Sequence, residues 1–361
     1  MYVFSSSVNK DRNLEKSLNL SKHENLKIIS LHFDPFNIYT ISKIFQNSVY
    51  FVNELKFRKG SLKNFFFISL CKIYLRRYRC DIYHFGYSGI AAFYLPVIYS
   101  LSGRIVVSCR GTAENVKPLS ETGRISKLRT LFEEADKIHC VSASMVDTIQ
   151  QYNAPVSKIF INRPAVDIKF FLRKGDYLPS KTIRILSVGR LVFQKGFMIG
   201  LLAMQELDRM FCNFEWIIMG DGPEDEELFF NIHLLGLEDK IKPAGKKTKD
   251  EVLEGYETAD IFFLPSVSEG IANVVIEAMA MELPVVSSSC GGLKELITDG
   301  ANGLLCNNYD YKAMAKALYD LSTNFEKRKA LGKAARKTVE KDFSLERYID
   351  VFEQHYYELL N

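Results

Sequence analysis

Along the second half of the chain, short apolar runs alternate with longer stretches whose apolar residues recur at helical spacing. The runs Ile183 to Val188, Phe214 to Met219, Asp260 to Leu264 and Pro284 to Ser288 read as strands, and helices are predicted to start near Lys195, Glu224, Asp250 and Asn273. Such alternation builds a parallel sheet wrapped by helices. Sheets of this kind bind ligands beyond the carboxyl ends of their strands, which here carry Gly189-Arg190, Gly220-Asp221-Gly222-Pro223 and Ser266 to Gly270. In the first half, Asp81 to His84, Ile105 to Ser108 and Lys137 to Val141 read as buried strands ending in polar or glycine-containing turns, predicting a second α/β domain. Asn162 to Asp167 breaks the pattern and a polar stretch follows from Lys174 to Thr182, placing the boundary near residue 168. The expected division is therefore α/β in residues 1–168 and 169–343. A last segment, 344–361, rich in aromatics from Tyr348 to Leu360, is expected to pack back on the first domain. No internal repeat or low-complexity tract interrupts this plan.

Composition narrows the function. At 361 residues the chain exceeds one ordinary core, and 47% hydrophobic with 25% charged residues is the balance of a soluble globular protein. No apolar run is long enough to span a bilayer, and the opening MYVFSSSVNK has no export signal, so a cytoplasmic location is expected. The seven cysteines form no Cys-x-x-Cys pair and read as reduced, mostly buried thiols. The net charge of +4 is uneven: residues 1–168 hold 23 Lys+Arg against 13 Asp+Glu, and the remainder holds 24 against 30. A basic first half suits an anionic partner or surface, yet no nucleic-acid-binding signature accompanies it. No Gly-x-Gly-x-x-Gly follows a strand, which argues against an oxidoreductase.

Three strand-end segments carry the candidate chemistry. In Ser266-Val-Ser-Glu269-Gly-Ile-Ala-Asn273-Val-Val-Ile-Glu277, two carboxylates stand eight positions apart across a glycine turn and a helix start. With the helix beginning near Ala272, Glu269 lies just before it and Glu277 in its second turn. Gly270 lets backbone approach a ligand, and the free first-turn amides of Ile271, Ala272 and Asn273 suit a diphosphate. Read alone, Glu269 is as well explained as a helix-start acid and Glu277 as a solvated one. In Gly189-Arg190-Leu-Val-Phe-Gln-Lys195-Gly196, two cations five apart can address one anion, although either taken singly is an ordinary surface charge. Gly220-Asp221-Gly222-Pro223 is a tight turn, and the acids after it suit a helix start better than a metal.

In this order and spacing, these segments resemble the carboxyl-terminal domain of the retaining glycosyltransferases of family 4, by motif over roughly residues 135 to 345 and most closely over Ile183 to Leu305. The resemblance implies the GT-B fold, two Rossmann-like domains facing each other across a cleft. It implies that Arg190 and Lys195 hold the donor diphosphate, that Glu277 binds ribose hydroxyls, and that Glu269 lies by the donor sugar. Gly291-Gly292-Leu293-Lys294-Glu295-Leu296-Ile297 is a further family-like turn, equally readable as a structural helix start. The implied reaction transfers a sugar from a nucleotide diphosphate (UDP or GDP) to a saccharide or lipid-linked acceptor, with no metal or other cofactor, in the making of cell-surface polysaccharide. A sugar-nucleotide 2-epimerase and a non-catalytic nucleotide-sugar-binding subunit are the alternatives.

The first half matches less closely. Val107-Ser-Cys-Arg110-Gly111-Thr112 and Cys140-Val-Ser142-Ala-Ser144 resemble segments that face the sugar, but Arg110 stands where many members have histidine. Arginine favours an anionic group, or pairs with a nearby acid such as Glu114. His84 is a further acceptor-side candidate, although a lone histidine at a strand end is more often a hydrogen-bonded core residue than a catalyst. Tyr2 to Phe4 make a short first strand where relatives have a full one with a glycine-rich loop, so either the start lies upstream or the acceptor side is built differently. Residues 56–79 interleave eight Lys or Arg with aromatics and contain no acid, which suits peripheral contact with an anionic membrane face or a helix packed on the first domain.

Overall fold

The computed structural model describes residues 2–5, 27–30, 80–99, 101–210 and 213–361. The basic stretch 56–79 lies outside them. The chain divides into two compact units, one of Met1–Asp81 with Phe93–Gly103 and one of Ile82–Ala92 with Arg104–Asn361. In the first, β1 (Tyr2–Ser5) and β2 (Lys27–Ser30) form a parallel pair with Tyr2 opposite Lys27.

The second unit holds two wholly parallel sheets. One runs β3 (Ile82–Phe85), β4 (Arg104–Cys109), β5 (Lys137–Cys140) and β6 (Ile159–Ile161) in chain order. The other comprises β7 (Ile183–Val188), β8 (Phe214–Met219), β9 (Ile241–Gly245), β10 (Ile261–Leu264), β11 (Val285–Ser288) and β12 (Leu304–Cys306), in the spatial order β12-β11-β10-β7-β8-β9. The order reverses between β7 and β10, the point at which sheets of this kind bind ligands beyond their strand ends.

Core packing explains which strands the apolar pattern reveals. All four residues of β10 are buried. Ile261 and Phe263 join Trp216 and the helix Phe197–Arg209 on one face, while Phe262 and Leu264 join Tyr256 and the helix Asn273–Ala280 on the other. A strand buried on both faces reads as an unbroken apolar run. The edge strands β6 and β12, of three residues each, and β9, of five, leave too short an apolar run to be read from sequence, whereas the edge strand β3 is read. Moreover, β9 contains Pro243, which an edge tolerates.

The final helix, Leu345–Leu360, starts on Ser344, whose hydroxyl caps the Arg347 amide. It lays Phe352 against Val106 and Phe160 of the four-stranded sheet, and Lys137 Nζ lies 2.9 Å from Glu358. No helix among the described residues is long and apolar enough to cross a membrane.

Candidate functional site

The loops leaving β7, β8 and β10 are stitched together by backbone. The Gly189 amide donates to Met219 O at 3.0 Å, the Leu191 amide to Asp221 O at 2.8 Å, and the Val267 amide to Gln194 O at 2.8 Å. Gly220 sits at φ 154°, and a Cβ there would lie 1.8 Å from the Gly189 carbonyl oxygen, so both the conformation and the contact demand glycine. The loop after β10 also reaches the four-stranded sheet: a Cβ on Gly270 would stand 2.3 Å from Arg110 O, and the Gly292 amide donates to Gly270 O at 2.7 Å. Residues 110–111, 189–196, 266–272 and 290–292 thus converge.

Lys195 and Glu269 meet at this junction. Lys195 Nζ and the Ser266 hydroxyl both donate to Glu269 Oε1 at 2.7 Å. The side chains of Lys195 and Glu269 are only 18% and 13% exposed. A pair so little hydrated gains much of its stability from the second hydrogen bond, since desolvation opposes the ionic attraction. Arg190, in contrast, is exposed and has no side-chain partner among the described residues. Asp221 is exposed as well, whereas Ile271 and Ala272 are buried. The helix Asn273–Ala280 begins on Ala272, whose side chain cannot cap it, so the first-turn amides remain suited to an anion. In its second turn, Glu277 accepts a 2.9 Å hydrogen bond from the Tyr256 hydroxyl. Burial pushes the Glu277 carboxyl up, opposed by that hydrogen bond and by Lys249. The acids after Gly222 act as expected at a helix start, with Asp225 accepting from the Gly222 amide at 3.2 Å.

On the four-stranded sheet, the suggested Arg110–Glu114 side-chain pair is corrected. The Glu114 carboxylate is occupied by the Ser88 hydroxyl and by the amides of Arg110 and Gly111, at 3.3 and 3.0 Å. It caps the turn that begins at Gly111, and the Arg110 guanidinium points elsewhere. His84 uses both ring nitrogens, with Tyr356 Oη 2.5 Å from Nδ1 and Ser108 Oγ 2.8 Å from Nε2. Ser108 Oγ lies 2.8 Å from His139 Nδ1, and His139 Nε2 lies 2.7 Å from Asn162 O. A carbonyl only accepts, so His139 Nε2 carries the proton, Ser108 donates to His139 Nδ1, His84 Nε2 donates to Ser108, and Tyr356 donates to His84. Burial and the Arg110 charge lower the His84 pKa to about 4; burial foremost lowers that of His139 to about 3.

His139, Tyr256 and Tyr348 were not singled out from sequence, and only a map of long-range contacts could have found them. The Gly291–Ile297 segment does more than start a helix. Glu295 Oε2 accepts from Arg163 Nη2 at 2.8 Å, and its Oε1 accepts from the Ser144 amide at 3.1 Å.

Comparison with known proteins follows the same geometry. Residues 169–338 match the family described as glycosyl transferases group 1, and residues 43–170 match glycosyltransferase family 4. The amylovoran biosynthesis glycosyltransferase AmsK of Erwinia amylovora is 33% identical over 276 residues, covering 74% of this chain and 67% of AmsK. WcaL of Escherichia coli strain K12, assigned as a colanic acid biosynthesis glycosyltransferase, is 28% identical over 321 residues, 84% of this chain and 77% of WcaL. Among solved structures, Anabaena HepE in complex with UDP-glucose superposes with a TM-score of 0.76 at 16% identity, covering 99% of each chain. The two parallel sheets with alternating helices are those of the GT-B fold.

Proposed function

We propose, from the premise that this chain belongs to the glycosyl transferases group 1 and glycosyltransferase family 4, that it moves a sugar from UDP or GDP to a saccharide or lipid-linked acceptor during cell-surface polysaccharide synthesis. The transfer retains anomeric configuration and needs no divalent metal. The observation that carries this reading is the Lys195–Glu269 contact where strand order reverses, beside an uncapped helix start. Polysaccharide synthesis is supported by the names of AmsK and WcaL, and a UDP donor by the UDP-glucose bound to HepE.

The chemistry follows from charge. As the glycosidic bond loosens, negative charge grows on the leaving diphosphate and the sugar gains oxocarbenium character. Lys195, Arg190 and the amides of Ile271 to Asn273 supply the opposing field, the role a metal plays elsewhere. Donor binding gives Lys195 an anion stronger than a single carboxylate and releases Glu269 to accept hydrogen bonds from the sugar. Glu277, held by Tyr256, takes the ribose hydroxyls, and the Gly189, Gly220 and Gly222 turns admit the nucleotide. The acceptor hydroxyl attacks from the leaving-group face, with the departing phosphate oxygen as base. The acceptor side lies with Arg110 and Gly111, and His84, proposed with them from sequence, supports that side from within the packing because Tyr356 and Ser108 occupy both its ring nitrogens. In domain terms, 1–168 takes the acceptor, 169–343 the donor, and 344–361 returns to the first domain. The chain works at the cytoplasmic face, with residues 56–79 as peripheral membrane contact.

A thermal-shift screen over UDP- and GDP-linked sugars identifies the donor, because a ligand of the folded state raises the melting point. NMR of the anomeric proton then reads the product's stereochemistry. A raised melting point and a retained anomeric configuration are expected. No response to any nucleotide sugar, product of inverted configuration, or conversion of donor without acceptor would overturn the reading.

A further inference from the structure

Arg110 is a half-buried cation with few partners among the described residues. It follows β4 directly, with its carbonyl packed on Gly270, beside the Lys195–Glu269 junction. Its Nε is buried and has no hydrogen-bond partner among the described residues. Among the same residues its guanidinium makes one side-chain hydrogen bond, a long one from Nη2 to the Tyr348 hydroxyl at 3.4 Å, and the group lies 5.4 Å from the centre of the Tyr87 ring. Among the described residues no carboxylate pairs with it, and Glu114, the acid near at hand, is already committed to Ser88 and two amides.

Arg124 shares the orphaned Nε but has the Glu121 carboxylate 4.0 Å away and donates to the Ala113 carbonyl at 3.4 Å, and two other arginines of the unit are fully occupied. Arg336 binds the Glu340 carboxylate and the carbonyls of Phe171, Ala280 and Ile168, and Arg173 binds those of Met281, Glu257 and Tyr256. Those two hold the fold. Arg110 spends its fork on almost nothing, although removing a guanidinium from water without hydrogen bonds is costly. His84 and His139 behind it are neutral and tied into their own chain, so they neither compete for an anion nor supply one. Tyr87, 53% exposed, leaves a face of the group bordered by an aromatic ring rather than an acid.

We propose that Arg110 recognises a negatively charged group, a carboxylate or a phosphate monoester, carried by one of the two sugar substrates. Planar two-pronged hydrogen bonding is the chemistry arginine offers to either anion. This inference rests on the donor-site reading above and names the substrate class that the site selects.

The test uses the wild-type chain with Arg110→Gln and Arg110→Lys, each first titrated with UDP in a calorimeter. One arm compares UDP-glucuronic acid with UDP-glucose. The other titrates the UDP-loaded protein with glucuronate, glucose 6-phosphate and glucose. In at least one arm the wild type should favour an acidic probe over its neutral twin by about tenfold or more, the scale of one hydrogen bond to a charged group. Arg110→Gln should lose that preference and Arg110→Lys keep part of it, with UDP affinity unchanged in both. The arm that responds tells whether the charge belongs to the donor sugar or to the acceptor. UDP binding with equal affinity for acidic and neutral probes in both arms overturns the proposal and leaves the donor site standing. A preference that survives Arg110→Gln also overturns it, and should that variant fail to fold, a wild-type-sized preference in Arg110→Lys does the same. Should the thermal-shift screen select GDP, GDP and its sugars replace UDP in both arms; if the wild type binds neither nucleotide, the donor-site reading falls, and this inference with it.

Discussion

In the six-stranded sheet the candidate polar groups stand beyond the strand ends, where Lys195, Ser266 and Glu269 meet between β7 and β10. In the four-stranded sheet they lie within the packing, where Ser108 and His139 of β4 and β5 are fully buried and link His84 to the carbonyl of Asn162. The first arrangement keeps charge available to a ligand. The second uses hydrogen bonds to fix two neutral imidazoles under the final helix, and leaves Arg110 without a carboxylate partner among the described residues. Substitutions in the two sheets should therefore fail differently: donor chemistry on one side, stability and substrate choice on the other.

The sharpest separation is expected from Lys195→Ala, which should lower turnover about 10²–10³-fold, the scale of losing one preorganised charge stabiliser. Circular dichroism should show the fold intact, and near-normal turnover would remove Lys195 from the chemistry. Next in size, Gly220→Ala forces a side chain to φ 154° and against the Gly189 carbonyl. Strain of this kind costs on the order of 1–3 kcal/mol, read as a lower melting point together with weakened nucleotide binding.

The four-stranded sheet should respond to acid instead. The His84 pKa lies near 4 and that of His139 near 3 in the folded chain, below the ordinary 6.5, so the unfolded chain binds more protons between these values. The stability from keeping both rings neutral is complete above about pH 6.5 and is lost as pH falls toward 4 and then 3, by up to about 1.4 kcal/mol per pH unit for each ring. Denaturant midpoints measured from pH 7 to 5 should fall, and His139→Gln should flatten that fall. A pH-independent midpoint would contradict the neutral chain. The smallest effect is expected from Tyr256→Phe, which deprives Glu277 of one hydrogen bond worth about 1 kcal/mol. KM for the donor should rise severalfold with kcat little changed, and an unaltered KM would detach Glu277 from the nucleotide.

The same contrast governs how much could be read from sequence. The strands β7, β8, β10 and β11, the glycine turns and the Glu269 helix start were legible because burial on both faces and tight loop contacts impose residue types locally. The Lys195–Glu269 contact left no local signature, since 74 positions separate its members, and only a shared donor cleft was expected of them. The packing of Phe352 on Val106, the 238-position span from Arg110 to Tyr348, and the role of His139 left no local pattern at all. Glu114 was legible as an acid near Arg110, yet its short reach to two amides and a serine outweighs the guanidinium beside it.

A diphosphate held by the loops after β7 and β10 is tested most directly by calorimetry comparing uridine with UDP, or guanosine with GDP in their place where the screen selects GDP, on the wild type and on Lys195→Ala. UDP should bind far more tightly than uridine to the wild type, and the difference should shrink sharply in the variant while uridine affinity stays the same. Equal affinities for uridine and UDP in the wild type, or an undiminished difference in Lys195→Ala, would contradict this placement of the diphosphate.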